Sequence, residues 1–227
     1  MNTNKESTQA RFTVTTELTT AHETAENLLR SVDAWQTGHF LLTSGLHGKE
    51  YMQCQRVMQY PRFGMQLARL LAKQLIDNNL TPSVVAGPAL GAIHWEVFVA
   101  TAFEELNPGG PPIKAIFAER VTDLGGDVNS FAIRRGVAVT PEDKVLIVED
   151  VTTTGGSAKK VIELIRSLGA TPIAVGAVVD RSGSKIDFGI PFHKLITLNL
   201  ETFDPAICPL CRDGVPVVKP GSSKKPA

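Results

Sequence analysis

Residues Val145 to Ser157 read VLIVEDVTTTGGS: an apolar run, an acidic pair, then a loop of threonines and glycines. A run that is apolar at every position, such as Val145 to Val148, suits a strand buried on both faces of a parallel sheet. Beyond the loop, Val161, Leu164, Ile165 and Leu168 recur at helical spacing, and Gly169 suits the left-handed position past a helix end. The loop therefore joins the carboxyl end of a strand to the amino end of a helix. In an open parallel sheet that edge binds ligands, and the first turn of the helix offers unpaired N–H groups and partial positive charge. Glycines let the backbone approach an anion, and threonine and serine hydroxyls add donors. A phosphate monoester fits such a cradle. Glu149 and Asp150 would repel it unless they face another part of the ligand, and carboxylates both accept hydrogen bonds from vicinal hydroxyls and stabilise developing positive charge. A phosphorylated sugar satisfies both halves. The loop is neither G-x-x-x-x-G-K nor G-x-G-x-x-G, so the ordinary nucleotide-binding fingerprints are absent.

Outward from this stretch, SVVA, IKAIFA, KVLIV, IAVGAVVD and KLITLNL alternate with helical segments, including one ending near Leu106 and one over Ser157 to Leu168. This pattern predicts an α/β domain with a central parallel sheet flanked by helices. Upstream, Ala25, Leu28, Leu29 and Val32 mark an amphipathic helix over Ala21 to Asp33, capped by Thr19 or Thr20. A second helix follows Pro61, with Phe63, Leu67, Leu70 and Leu71 on one stripe. HFLLTSGLHGKEYMQC between them reads as a hairpin around glycines, a small N-terminal hood spanning mainly 35–58. One domain over 19–218 is expected, with loose ends at 1–18 and 219–227. The chain has 227 residues, 43% hydrophobic, with 23 basic and 23 acidic side chains, so it can bury a core and carries no global field for nucleic acid. No apolar stretch suits a signal peptide or a membrane span, and three cysteines do not suggest a disulfide framework; a cytoplasmic protein is expected.

VLIVEDVTTTGGS resembles the phosphoribosyl pyrophosphate (PRPP) signature of the type I phosphoribosyltransferases. FLLTSGLHGKEYMQC, VVAGPALGAI, FAER, RRG, VVDRSG and CPLCRDGVPVVKPGS, in that order, are similar to the bacterial orotate phosphoribosyltransferases, and the likeness covers about Thr37 to Ser222. It implies the type I phosphoribosyltransferase fold and transfer of a phosphoribosyl group from PRPP to orotate, with pyrophosphate leaving. It implies PRPP binding by Glu149, Asp150, Val151, Thr152, Thr153, Thr154, Gly155, Gly156 and Ser157. Glu149 and Asp150 would hold the ribose and oppose the charge of an oxocarbenium-like transition state, and Thr153 to Ser157 would hold the 5′-phosphate. Ala89, Leu90 and Gly91 would present backbone N–H groups to pyrophosphate. Arg181 would pair with the orotate carboxylate, against a competing Asp180–Arg181 salt bridge, and Thr153 could also touch the base. Mg²⁺ would be held mainly through PRPP, with no dedicated protein metal site.

The chain departs from its relatives in places. Gly91 and Thr43 stand where lysine is common, and Tyr51, Met52 and Gln53 stand where aromatic residues often stack on the base. No lysine occurs between Lys114 and Lys144, in the region of the family's catalytic flap. Arg120, with Arg134 or Arg135 in support, would then neutralise the leaving pyrophosphate from a mobile flap over 119–136 that reaches the neighbouring subunit, making a homodimer with shared sites the working unit. Cys208 and Cys211 form C-x-x-C, but counting cysteines alone leaves only Cys54 as a further ligand, so packing or a reversible disulfide is expected. His94 receives no role. A phosphoribosyltransferase for a purine or other base, and a non-catalytic PRPP-sensing regulator, remain the alternatives.

Overall fold

The computed structural model describes residues 21–42, 44–122 and 128–220. The cap expected at Thr19 or Thr20, Thr43, the tip of the expected flap and the end of the tail lie outside the described residues. The elements are α1 (21–31), β1 (Trp35–Leu41), β2 (His47–Met52), α2 (Gln55–Met58), α3 (Pro61–Asp77), β3 (Val84–Pro88), α4 (Ile93–Leu106), β4 (Lys114–Thr122), β5 (Val128–Ala132), β6 (Lys144–Thr152), α5 (Gly156–Ser167), β7 (Thr171–Asp180), β8 (Phe192–Thr197), β9 (Thr202–Phe203) and α6 (Pro209–Arg212). A 3₁₀ turn at Pro205–Ile207 precedes α6.

Six strands form the main sheet in the order β5-β4-β3-β6-β7-β8, parallel except for the antiparallel β4–β5 pair. Alternation along β6 divides the core. Leu146 and Val148 join the layer formed with α1, α3 and α4, whereas Val145 and Ile147 face the layer under α5. All four are fully buried, which explains why this strand reads as apolar without alternation. Removing a side chain such as Leu146 from water contributes about 2 kcal/mol. On α3, Pro61 suits the first helical position, and Leu67, Leu71 and Leu75 make the buried stripe. A Cβ on Gly64 would come within 2.3 Å of the Phe98 ring, so the close crossing of α3 over α4 depends on that glycine.

The second, three-stranded sheet, β1-β2-β9, is the hood. The expected β1–β2 hairpin is present, but its third strand comes from the far end of the chain, and Val218 bridges to Phe40. In the region expected to be a flap, 119–136, the described residues 119–122 and 128–132 form an antiparallel strand pair in which Arg120 pairs with Phe131 and Glu119 with Ala132. Its charged and polar side chains hid the strands, because an edge hairpin need not bury an apolar run on both faces. Among the described residues no helix is long and apolar enough to cross a membrane.

Glu96 on α4 is 1% exposed, and neither carboxyl oxygen has a hydrogen-bond partner of ordinary geometry among the described residues. Burial pushes its carboxyl up to about 9, opposed by the nearby Gly87 amide. A raised carboxyl makes the folded protein hold a proton that the unfolded chain releases. Its stabilising contribution is therefore complete below the unfolded value of 4.5 and declines as pH rises towards about 9. Between pH 5 and pH 8 this amounts to a loss on the order of 4 kcal/mol. Urea unfolding of Glu96→Gln should show a flatter pH profile than wild type over that range; parallel profiles would mean that Glu96 is not neutral in the fold.

Candidate active site

The strand order places β3 beside β6, yet α4 carries the chain from β3 outward to β4 while α5 carries it from β6 the other way to β7. The loops after β3 and β6 consequently diverge and leave a crevice at the carboxyl edge, the topological switch point at which open α/β sheets bind ligands. A cavity of about 170 Å³ occupies it, lined by Pro88, Gly91, Ala92, Arg120, Glu149, Asp150, Val151, Thr153, Thr154, Gly155, Gly156 and Ser157.

One wall is an anion cradle. Gly155 adopts φ +71° as the N-cap of α5, and a Cβ there would meet Phe188 at 2.8 Å and Ile186 at 2.9 Å, so both conformation and space call for glycine. The amides of Gly155, Ser157 and Ala158 have no acceptor among the described residues, and that of Gly156 has only Thr154 Oγ1 at 3.4 Å. Open donors at the start of a three-turn helix suit a phosphate. Across the crevice, the Ala89–Leu90 peptide is cis, and the Leu90 and Gly91 amides are likewise without acceptors.

Between these loops stand the carboxylates. Burial, reinforced by the neighbouring Asp150 charge, pushes Glu149 up to about 7, while Arg120 opposes the shift. Burial also raises Asp150, whose Oδ1 accepts from the Val151 amide at 2.8 Å and whose Oδ2 accepts from Gln55 Nε2 at 3.3 Å. Gln55 Nε2 additionally donates to the Gly91 carbonyl at 2.7 Å, so one side chain from α2 ties the hood to both ligand loops. Sequence reasoning missed Gln55, since nothing local marks a glutamine whose partners lie 36 and 95 residues away.

Four expectations change. Thr152 is fully buried and its hydroxyl donates to the Val179 carbonyl at 3.4 Å; it supports the sheet instead of lining the cradle, as strand alternation requires. The Ala89 amide donates to the Ala118 carbonyl at 2.9 Å, extending the β3–β4 ladder, and cannot also serve an anion. Arg120 lies on β4, a strand of the main sheet, where it lines the cavity of its own chain and donates from Nε to the Ala89 carbonyl at 3.1 Å. Arg135 pairs with Glu119 at 2.6 Å on the hairpin.

Arg181 follows β7, partly buried beneath the hood, with Tyr51 and Cys54 close enough to influence its charge and burial pulling its pKa down. The competing Asp180 salt bridge does not form. Asp180 accepts from the Ser182 amide and hydroxyl at 2.8 and 2.6 Å and from the Ser184 amide at 2.9 Å. Arg181 Nε is buried without a hydrogen-bond partner among the described residues, a donor suited to a ligand acceptor.

Cys208 and Cys211, expected to pack or to form a reversible disulfide, are both free thiols here, and they meet His39 and His47 of the hood. The sequence offered the pair but not its partners, because His39 and His47 are brought together only by the hairpin.

A model of the phosphoribosyl transferase domain matches residues 56–202. An orotate phosphoribosyltransferase of Carboxydothermus hydrogenoformans is 44% identical over 187 residues, covering 82% of this chain and 91% of that protein. One from Thermotoga maritima is 41% identical over 197 residues, covering 87% and 97% respectively. Among solved structures, Mycobacterium tuberculosis orotate phosphoribosyltransferase in complex with PRPP is similar with a TM-score of 0.57 and 29% identity, covering 78% of this chain and 96% of that one. A cavity between two sets of unpaired amides, floored by an acidic pair, thus recurs in a chain that belongs to the phosphoribosyltransferase family, on its orotate phosphoribosyltransferase branch.

Proposed function

We propose that this chain transfers the 5-phosphoribosyl group of PRPP to orotate, giving orotidine 5′-monophosphate and pyrophosphate on the route to UMP. The orotate nitrogen gives up its proton to solvent and forms the new bond to the anomeric carbon as the bond to pyrophosphate breaks, and the electron pair of that bond leaves with pyrophosphate. The α5 cradle suits the 5′-phosphate, and the Leu90 and Gly91 amides with Arg120 suit the pyrophosphate, so the donor is gripped at both ends while its anomeric carbon stays between them. Glu149 and Asp150 accept hydrogen bonds from the ribose hydroxyls and oppose positive charge on the ring as it develops. Two carboxylates are few for a protein cage around Mg²⁺ but fit an ion that keeps water and phosphate ligands, and such an ion would further neutralise the leaving group. The working form in this reading is a cytoplasmic homodimer.

The observation that carries orotate over a purine is the buried Nε of Arg181, which has no hydrogen-bond partner among the described residues. A carboxylate on the base would answer it; a neutral purine would leave it unpaired, at a cost of about 1–3 kcal/mol. The test is pyrophosphate release with PRPP and Mg²⁺, comparing orotate with hypoxanthine, guanine and adenine. Orotate alone should turn over, and Arg181→Ala should raise its KM by roughly 30-fold or more while PRPP binding changes little. Turnover of a purine without orotate would overturn the assignment, and PRPP binding without turnover of any base would favour a sensor.

A further inference from the structure

His39, His47, Cys208 and Cys211 bring one ligand atom each to a common centre, with the four atoms all within 4.8 Å of one another. His39 Nε2 lies 2.8 Å from His47 Nδ1, 3.5 Å from Cys208 Sγ and 3.7 Å from Cys211 Sγ, and Cys211 Sγ lies 3.3 Å from His47 Nδ1. A tetrahedral ion with metal–nitrogen distances of about 2.0 Å and metal–sulfur distances of about 2.3 Å has ligand–ligand edges of roughly 3.3 to 3.8 Å. Most of these separations fall at such edges; the nitrogen pair would open by about half an ångström.

The second sphere agrees. His39 Nδ1 lies 2.7 Å from the Val215 carbonyl, which can only accept, so a neutral ring carries its proton on Nδ1 and turns the Nε2 lone pair towards the cluster. The backbone of the same residue is held as well, its carbonyl accepting from the Val218 amide at 2.8 Å. His39, His47 and Cys208 are buried. Two thiolates would cancel the charge of a divalent ion, leaving a neutral centre that burial does not penalise.

We propose that these four residues form a closed Cys₂His₂ zinc site which fastens the C-terminal segment to the hood. Two sulfurs and two imidazole nitrogens in tetrahedral array select Zn²⁺ over the hard cations that prefer oxygen. Four protein ligands leave no open position, so the ion is structural. It lies on the hood and C-terminal segment, and none of its four ligands lines the cavity. The alternatives are a histidine pair sharing a proton beside two free thiols, and a Cys208–Cys211 disulfide.

The full chain, purified with reductant and without chelator, should contain about one Zn²⁺ per chain by mass spectrometry of the metal, and the Cys208→Ser/Cys211→Ser and His39→Ala variants should contain less than roughly a tenth of that. Stripped wild-type protein refilled with Co²⁺ should show thiolate-to-cobalt charge transfer and the intense visible bands of a tetrahedral site. Its melting temperature should fall by roughly 10 °C on stripping and return with Zn²⁺. Because Co²⁺ uptake is read on wild-type protein, a variant that fails to fold does not decide the matter. Zinc content equal in wild type and the double cysteine variant, or stripped wild type that binds no Co²⁺ through thiolate, would overturn the site; neither readout depends on which base is the substrate.

Discussion

Asp150→Asn should lower turnover about 100-fold while PRPP affinity falls only a few-fold. The substitution keeps the shape of the side chain but removes a negative charge that matters most when the ribose becomes positive, so the transition state loses more than the ground state. A loss of about 2.7 kcal/mol from the barrier corresponds to that factor. Asn also has one acceptor oxygen where Asp150 uses two, accepting from Val151 with Oδ1 and from Gln55 with Oδ2. One of those bonds must therefore be lost, which loosens the link between hood and loop and accounts for the small affinity change. Steady-state pyrophosphate release and PRPP titration check both numbers. Unchanged turnover would reduce the acidic pair to a strand ending.

Arg120→Ala should lower turnover by a similar factor of about 100 and leave the fold intact, because β4 keeps its ladder and only a charge beside the pyrophosphate loop is removed. Guanidinium neutralises a leaving anion but cannot donate its proton at neutral pH, so the loss is electrostatic. Arg120, Glu149 and Asp150 all line the cavity of one chain. Mixing Arg120→Ala with Asp150→Asn subunits thus leaves every site defective, and the mixture should be no more active than its parents. Recovery of about a quarter of wild-type activity after verified subunit exchange would show that Arg120 acts in a neighbour's site.

The parts of this molecule legible in the sequence are those whose neighbours in space are neighbours in the chain. VLIVEDVTTTGGS announces strand, carboxylates, cradle and helix together, since β6, the loop and α5 are consecutive in the chain. Gly169, predicted just past that helix, has φ +82°. Thr152 was misplaced because the motif names residues without saying which side of the strand they face, and Ala89 because its amide partner, Ala118, sits on another strand. The β4–β5 hairpin escaped notice since Glu119, Arg120, Ser130 and Arg135 offer no apolar run, and pairing there depends on β4 already being fixed in the sheet. Gln55 and the cysteine–histidine cluster are legible only in three dimensions: the Cys208–His39 contact spans 169 positions.

The third strand of the hood, β9, and the segment that bridges to Phe40 follow every strand of the main sheet in the chain. Without that segment the hood would be only a two-stranded ribbon, too small to be stable alone. Tyr51 and Cys54, which flank Arg181, and Gln55, which grips both loops, stand at the end of that ribbon. The grip on the sugar phosphate is thus built by β6 and α5 in mid-chain, whereas the base-side wall is completed by the last part of the chain.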